Sequence, residues 1–217
     1  TFFFIFLCMA FTAGFALRWF VLLFAGIGGT VSAVLFLDLV PESMEYMVNR
    51  FRVLFDHSLD PLGVGWHQTR SLLAIGSGGV FGQGYLNGTQ SQSSESQSLP
   101  MRWTDFIFSV CGEELGMVGC LLIILLLTAL ILRVLLVAKR SQIYFHSYVC
   151  VGMAAMLIYQ TVINIGMCLF VMPTIGVTLP FFSYGGSSIV TLYTAMGVVS
   201  NIKKRTLSMD RRSRSLL

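Results

Sequence analysis

Three carboxylates lie in segment 99–116, where a polar stretch gives way to a long apolar run: Asp105, Glu113 and Glu114. Asp105, Ser109 and Glu113 recur every four residues, so a helix would present them on one face. Carboxylates at membrane depth are costly and usually face a cavity or a partner. Glu113 and Glu114 are therefore either paired with groups of another helix or part of a functional site, and the residues leave both readings open.

Asp105 also has a purely structural reading. Thr104 is a residue type that caps helices, and an acid in a first helical turn is stabilised by the helix dipole. The segment thus predicts a helix capped by Thr104, with Asp105 in its first turn.

A second polar stretch, PTIGVTLPFFSYGGSS, covers residues 173–188 and contains two prolines and three glycines. It is either a surface break between two spans or the wall of a cavity, since irregular backbone at membrane depth must be buried in protein or wet. As a wall it would offer hydroxyl groups, those of Ser183, Tyr184, Ser187 and Ser188. Upstream, Gln160 and Asn164 lie one turn apart and are expected to act as hydrogen-bond glue between helices.

The composition indicates the elements that must position these residues. Hydrophobic residues make up 55% of the 217-residue chain and charged residues 11%, which argues against a water-soluble domain. No heptad runs through the chain, so a coiled coil is excluded as well. The fold class expected is all-α, a polytopic transmembrane helical bundle of about five spans. These spans are residues 1–17, 19–37, 106–138, 147–171 and 186–202.

The loop 38–105 is about 68 residues long and is expected to carry short helices of its own. Residues 43–56 have the amphipathic spacing of a helix on a membrane surface, and residues 66–75 predict a second short helix. Residues 76–84 are glycine-rich but fit no nucleotide-binding pattern. The five cysteines lie in apolar stretches and are expected to be free thiols.

Positive charge predicts the orientation. Ten of the fourteen Lys and Arg residues fall at one face of the predicted bundle, six of them after Ile202. The positive-inside rule makes this face cytoplasmic, so residues 139–146 and 203–217 are cytoplasmic and loop 38–105 is extracytoplasmic. A basic tail beside a span indicates anionic lipid as its partner and requires no nucleic acid.

Three ordered segments resemble the SEDS family (shape, elongation, division and sporulation). They are GVGWHQTRSLLAIGSGGVFGQGYLNGTQSQ at 63–92, LPMRWTDFIFSVCGEELGMVG at 99–119 and NIGMCLFVMPTIGVTLPFFSYGGSS at 164–188. GTQSQ resembles the RodA branch more than the FtsW division branch. The family has about ten spans, so the resemblance implies that residues 1–217 are the C-terminal half of such a domain. The opening on Thr1 without Met also led us to expect a fragment.

The resemblance implies a glycosyltransferase, an enzyme that polymerises lipid II into peptidoglycan strands during elongation and cell-shape maintenance. It implies a multi-pass protein of the bacterial cytoplasmic membrane, active on the extracytoplasmic side, with a class B penicillin-binding protein as partner. The family's essential aspartate corresponds to Asp105, which would act as the general base. Arg102, or a divalent cation such as Mg or Mn, would balance charge on the diphosphate leaving group. Glu113, Glu114, Ser187 and Ser188 are further substrate-binding candidates.

Two other function classes stay open. A flippase or transporter of the lipid-linked precursor would need a polar path and no base. A non-catalytic scaffold for a penicillin-binding protein would need neither. An acid at the outer interface within the T-D-F sequence favours the glycosyltransferase, because transport alone does not require it.

Overall fold

The computed structural model describes residues 1–36, 50, 64–92, 99 and 101–214. Within these ranges the regular secondary structure is entirely helical, as expected. The predicted amphipathic segment 43–56 lies outside the described residues, apart from Arg50. In chain order the helices are α1 (Phe2–Thr12), α2 (Leu17–Phe36), α3 (Val64–Gly78), α4 (Ile107–Arg140), α5 (Tyr144–Cys168) and α6 (Gly186–Arg214).

Helices α4 and α5 are long and apolar enough to cross a membrane. They contain 34 and 25 residues, or about 51 and 38 Å at 1.5 Å per residue, against a hydrocarbon core of about 30 Å. Helix α1 is shorter, and the apolar part of α2 is the segment Arg18–Thr30. The count of five spans therefore stays a prediction.

Helix boundaries differ in places from the predicted spans. Helix α1 ends at Thr12, where a turn follows with Gly14 at φ 86°. Helix α3 contains the predicted short helix 66–75. Helix α6 continues to Arg214, through much of the basic tail that was predicted to follow the last span. Because Lys and Arg are good helix formers, the charge that ends the apolar run does not end the helix.

Helix α5 is the centre of the described structure, since it packs against both α1 and α4, while α3 packs against α4. One apolar cluster surrounds the start of α4 and the end of α5, and includes Phe106, Phe108, Ile123, Met167 and Leu179. A second cluster joins the other ends of these helices to α6, and includes Val134, Cys150, Ala154, Leu192 and Val199. All five cysteines are free, as predicted.

Helix α4 is broken at Gly116, which has φ 69° and ψ −169°. The break is filled by residues 79–84, called the glycine loop here. Four backbone hydrogen bonds join the two: Gln83 N–H to the Glu113 carbonyl (2.9 Å), Gly84 N–H to the Glu114 carbonyl (3.0 Å), Met117 N–H to the Gly79 carbonyl (3.0 Å) and Val118 N–H to the Val80 carbonyl (3.2 Å).

In an unbroken α-helix three backbone hydrogen bonds span residue 116, those from residue 117 to 113, from 118 to 114 and from 119 to 115. The glycine loop supplies partners for the four backbone groups of the first two. Glycine is required on both sides of this contact. A Cβ at Gly116 would collide with the backbone of Gly82, and a Cβ at Gly82 would collide with the backbone of Glu114.

Candidate active site

Asp105 lies in a tight turn of residues 101–106, the aspartate turn, which leads into α4. The Met101 carbonyl, at a residue with φ 50°, accepts hydrogen bonds from the N–H groups of Thr104, Asp105 and Phe106 at 3.1–3.3 Å. Helix α4 begins only at Ile107, with Phe106 as its N-cap and no capping side chain.

The predicted cap at Thr104 is therefore wrong. The Thr104 hydroxyl donates to the Met101 carbonyl at 3.3 Å instead, which stabilises the turn. Asp105 accordingly precedes the helix rather than lying in its first turn.

The Asp105 side chain is half-buried, and this burial raises the pKa of its carboxyl above the ordinary 3.8. A hydrogen bond from Thr104 opposes the shift in part. The expectation that a helix dipole would favour the ionised form is thus outweighed by loss of solvation. The result is a carboxylate that is a stronger base than one in water.

A loop of residues 172–185, the proline loop, forms the opposite wall of this site. A Cβ added to Gly176, which has φ 68°, would lie 3.5 Å from Oδ2 of Asp105. The Asn164 side chain joins the two walls: its Nδ2 donates to the Asp105 carbonyl at 2.8 Å and to the Val177 carbonyl at 2.7 Å. One buried amide therefore holds the aspartate turn and the proline loop together.

The polar candidates of the proline loop tie it to the aspartate turn a second time. The Ser183 hydroxyl accepts from Leu179 N–H at 2.7 Å and donates to the Thr104 carbonyl at 2.6 Å. Tyr184 N–H donates to the Trp103 carbonyl at 2.8 Å. The Ser183 hydroxyl is thus used in holding the wall.

Ser187 and Ser188 open helix α6, at the edge of this wall. The Ser188 hydroxyl is 3.4 Å from that of Thr178, within the proline loop. The Ser187 side chain is exposed, and its carbonyl accepts from Thr191. The structure brings Ser188 beside the site and leaves Ser187 on the surface of the described residues.

Glu113 is fully buried and binds residues 88–92, the GTQSQ loop. Its carboxylate accepts from Gln90 N–H at 2.6 Å, Ser91 N–H at 2.8 Å and the Thr89 hydroxyl at 3.1 Å. A Cβ at Gly88 would fall 2.7 Å from Oε2 of Glu113, so the loop approaches the acid too closely for a side chain there.

Glu114 binds the same loop through side chains. Its Oε1 accepts from Gln92 Nε2 at 2.9 Å and from the Ser91 hydroxyl at 3.3 Å. Both glutamates thus pair with a loop of the chain, and not with another helix as one of the two readings above expected.

Arg102 is oriented by the GTQSQ loop as well. Its Nη1 donates to the Ser91 carbonyl, and its guanidinium carbon lies 5.2 Å from the centre of the Trp103 ring. Both contacts hold the Arg102 guanidinium in the same turn as Asp105, which follows three residues later.

Several buried polar residues that support the site were not among the candidates. The Ser71 hydroxyl of α3 is 2.5 Å from that of Ser109 and donates to the Cys168 carbonyl at 2.7 Å. Gln68 donates to the Met167 and Met172 carbonyls at 3.1 and 2.7 Å. One available signal was the helical spacing of Gln68 and Ser71, which places both polar residues on one face of α3.

A divalent cation needs several oxygen or nitrogen ligands at one point. Among the described residues, no three His, Cys, Asp or Glu side chains form such a group. Mg or Mn bound through one or two carboxylates, water and substrate phosphate would not require such a group.

Comparison with known proteins identifies the family. The FtsW/RodA/SpoVE family model, described as "Cell cycle protein", matches residues 1–208. Peptidoglycan glycosyltransferase MrdB of Escherichia coli K12 is 44% identical over 158 residues, which are 73% of this chain and 42% of that protein. Stage V sporulation protein E of Bacillus subtilis is 38% identical over 197 residues, 90% of this chain and 51% of that protein.

A solved chain from a peptidoglycan synthase complex that coordinates polymerization and crosslinking has a TM-score of 0.72 and 28% identity. The match covers 94% of this chain and 54% of that one. This chain therefore spans about half the length of the relatives it matches. It belongs to the FtsW/RodA/SpoVE family, as its three motifs predicted, and it is a membrane protein whose regular structure in the described residues is helical.

Proposed function

We propose that the protein carrying this segment polymerises lipid II into peptidoglycan glycan strands, with Asp105 as the general base. The observation that supports this most directly is the setting of Asp105. Its carboxylate is half-buried, its pKa is raised, and it faces a wall where Gly176 carries no side chain. Relatives named peptidoglycan glycosyltransferases support the reaction class.

The reaction needs a base because a sugar hydroxyl is a poor nucleophile until it loses its proton. In the proposed step the acceptor oxygen bonds to the anomeric carbon of the donor sugar, and its proton passes to the carboxylate of Asp105. The bond from that carbon to the phosphate oxygen breaks, and undecaprenyl diphosphate leaves with the electron pair. The half-buried setting favours this transfer because it raises the basicity of the carboxylate.

Arg102 is the proposed cation for the leaving diphosphate. A guanidinium has five N–H donors, and the Ser91 carbonyl and the Trp103 ring hold this one in the same turn as Asp105. A divalent cation remains the alternative to Arg102 in the proposal, and loss of polymerisation in EDTA would test for it. Ser188 remains a substrate-binding candidate beside Thr178, and Ser187 one on the surface.

The contacts of Glu113 and Glu114 support a structural role for these two residues. Their carboxylates accept hydrogen bonds from the GTQSQ loop, whose Ser91 in turn binds Arg102. In the proposal they place Arg102 and do not touch substrate.

The proposed setting is the bacterial cytoplasmic membrane, with the site on the extracytoplasmic side and the basic tail of α6 in the cytoplasm. The sequence motif GTQSQ favours a role in elongation over division or sporulation. The proposed partner is a class B penicillin-binding protein, and the solved relative from a polymerization and crosslinking complex supports it. Failure of the full-length protein and its cognate partner to co-elute or crosslink would argue against that pairing.

The test is glycan-strand formation from lipid II by purified full-length protein carrying Asp105→Asn. We expect a loss of about 100- to 10,000-fold, the usual contribution of a general base, with an unchanged melting temperature. Asp210→Asn makes the same chemical change far along α6 and should retain activity. Near wild-type polymerisation by Asp105→Asn would remove Asp105 from the mechanism and favour the flippase or scaffold.

A further inference from the structure

Asn164 is a fully buried amide whose contacts differ from those of ordinary helix-to-helix glue. Its exposure is 0%, and its Nδ2 donates to two backbone carbonyls outside helices, those of Asp105 and Val177. The sequence led us to expect bonds between helices, and the structure corrects this. The amide projects from α5 into the junction of two irregular segments.

The two bonds join the walls of the site at the point nearest the carboxylate. One holds the main chain of Asp105 itself, and the other holds Val177, the residue that follows Gly176. A Cβ at Gly176 would lie 3.5 Å from Oδ2 of Asp105, so these two residues face each other at close range. The bonds of Ser183 and Tyr184 join the same walls through Thr104 and Trp103, and only the Asn164 amide bonds to Asp105 itself among these three ties.

We propose that Asn164 is a positioning residue for glycosyl transfer: it holds the Asp105 carboxylate at a fixed distance from the backbone at Gly176. The inference rests on the function proposed above. A misplacement of about 1 Å at a reacting group can cost about 100-fold in rate. Loss of the amide should therefore affect turnover more than substrate binding.

Gln160, one turn earlier on α5, provides a matched control. It has the same functional group on the same helix, and its Oε1 has no hydrogen-bond partner in the described structure. Replacing it with Leu removes an amide one turn away on α5, at a partly buried position. Asn164→Leu removes the other amide and keeps the branched side chain of four heavy atoms.

The experiment measures kcat and KM for lipid II polymerisation by full-length protein carrying Asn164→Leu or Gln160→Leu, with melting temperatures. We expect Asn164→Leu to lower kcat about 10- to 100-fold with KM within twofold, and Gln160→Leu to resemble wild type. The double variant Asp105→Asn/Asn164→Leu separates positioning from folding. If Asn164 acts through Asp105, the double variant is no slower than Asp105→Asn, because a missing base needs no positioning.

Three outcomes would overturn the inference. The first is a fold-loss of kcat in the double variant equal to the product of the two single losses. The others are a wild-type kcat in Asn164→Leu and a loss of kcat in Gln160→Leu as large as that in Asn164→Leu. These outcomes leave the proposed function intact so long as Asp105→Asn is inactive. If Asp105→Asn is active, the proposed function itself fails.

Discussion

The carboxylate of Asp105 has to meet two opposed requirements. It must be ionised to accept a proton, yet a strongly acidic carboxylate would be a poor base. Half-burial in the aspartate turn raises its pKa, and the Thr104 hydrogen bond limits the rise. The side chain thus gains basicity while keeping some contact with solvent and hydroxyl groups.

This setting predicts the acid side of the pH–rate profile. Only the ionised form of Asp105 accepts a proton, so activity falls as the pH drops through the pKa of the folded protein. Because burial raises that pKa, the midpoint of the acid limb of kcat/KM should lie above 3.8. If the midpoint of the acid limb lay at or below pH 3.8 while the full-length protein stayed folded, Asp105 would not be the general base.

For individual residues, the sequence predicted which residues belong to the site better than it predicted the contacts that they make. Asp105 was selected through the resemblance of its T-D-F segment to the SEDS family, and Arg102 as a cation close to it in sequence. The bond from Asn164 to Asp105 could not be predicted, because the two residues are 59 positions apart. The Thr104 cap was predicted wrongly because the chain turns on the Met101 carbonyl, which accepts from Phe106 N–H, a donor that a cap at Thr104 could have satisfied.

Helix α4 and the glycine loop act as one element. The glycine loop stabilises the break at Gly116 because it pairs the carbonyls of Glu113 and Glu114 and the N–H groups of Met117 and Val118. Directly before the break, the carboxylates of Glu113 and Glu114 bind the GTQSQ loop. Two successive loops are therefore attached to the same turn of one helix.

Gly116→Ala should destabilise the full-length protein. At φ 69° an added Cβ is strained by about 1–2 kcal/mol, and here it would also meet the backbone of the glycine loop. Gly76→Ala is the matched control, since a Cβ there meets nothing within 4 Å in α3 and should be neutral or stabilising by up to about 1 kcal/mol. Equal melting temperatures for the two variants would argue against the docked break.

Glu113→Gln should loosen the GTQSQ loop. The new amide has one acceptor oxygen where the carboxylate has two, so a backbone donor at Gln90 or Ser91 loses its partner, at a cost of about 1–3 kcal/mol. Faster hydrogen exchange of residues 89–92 would report it. Glu114→Gln, whose contacts are to side chains, should have the smaller effect; the reverse order would contradict the assigned roles.

Helices α4 and α5 were predictable, because apolar runs of 20 residues or more leave the backbone no other satisfied structure in lipid. The break in α4 was not predictable, since GEELGMVG fits a continuous helix and the loop that opens it lies more than 30 residues earlier. The length of α6 was underestimated, because the apolar run was taken as the limit of the helix.

For the whole molecule, the uneven distribution of Lys and Arg predicts one orientation. In intact cells, a cysteine at Tyr85, whose side chain is 75% exposed, should react with an impermeant thiol reagent. A cysteine at Ser208, exposed on α6, should react only after the membrane is opened. If the cysteine at position 208 reacted from outside and the one at position 85 did not, the predicted orientation would be wrong and the opposite one correct.

The docked break in α4 also has a consequence for biosynthesis. Before the glycine loop is in place, residues 113–118 can pair these backbone groups only as a continuous helix, with Met117 N–H bonded to the Glu113 carbonyl and Val118 N–H to the Glu114 carbonyl. A break without the loop would leave these four groups unpaired, at a cost of several kcal/mol each in lipid. The loop precedes α4 in the chain, so the ribosome makes the segment that fills the break before the helix that needs it. A circular permutant that placed residues 79–84 after α4 would reverse this order, so α4 should insert unbroken and reach its broken form more slowly, even though the finished structure could contain every contact described.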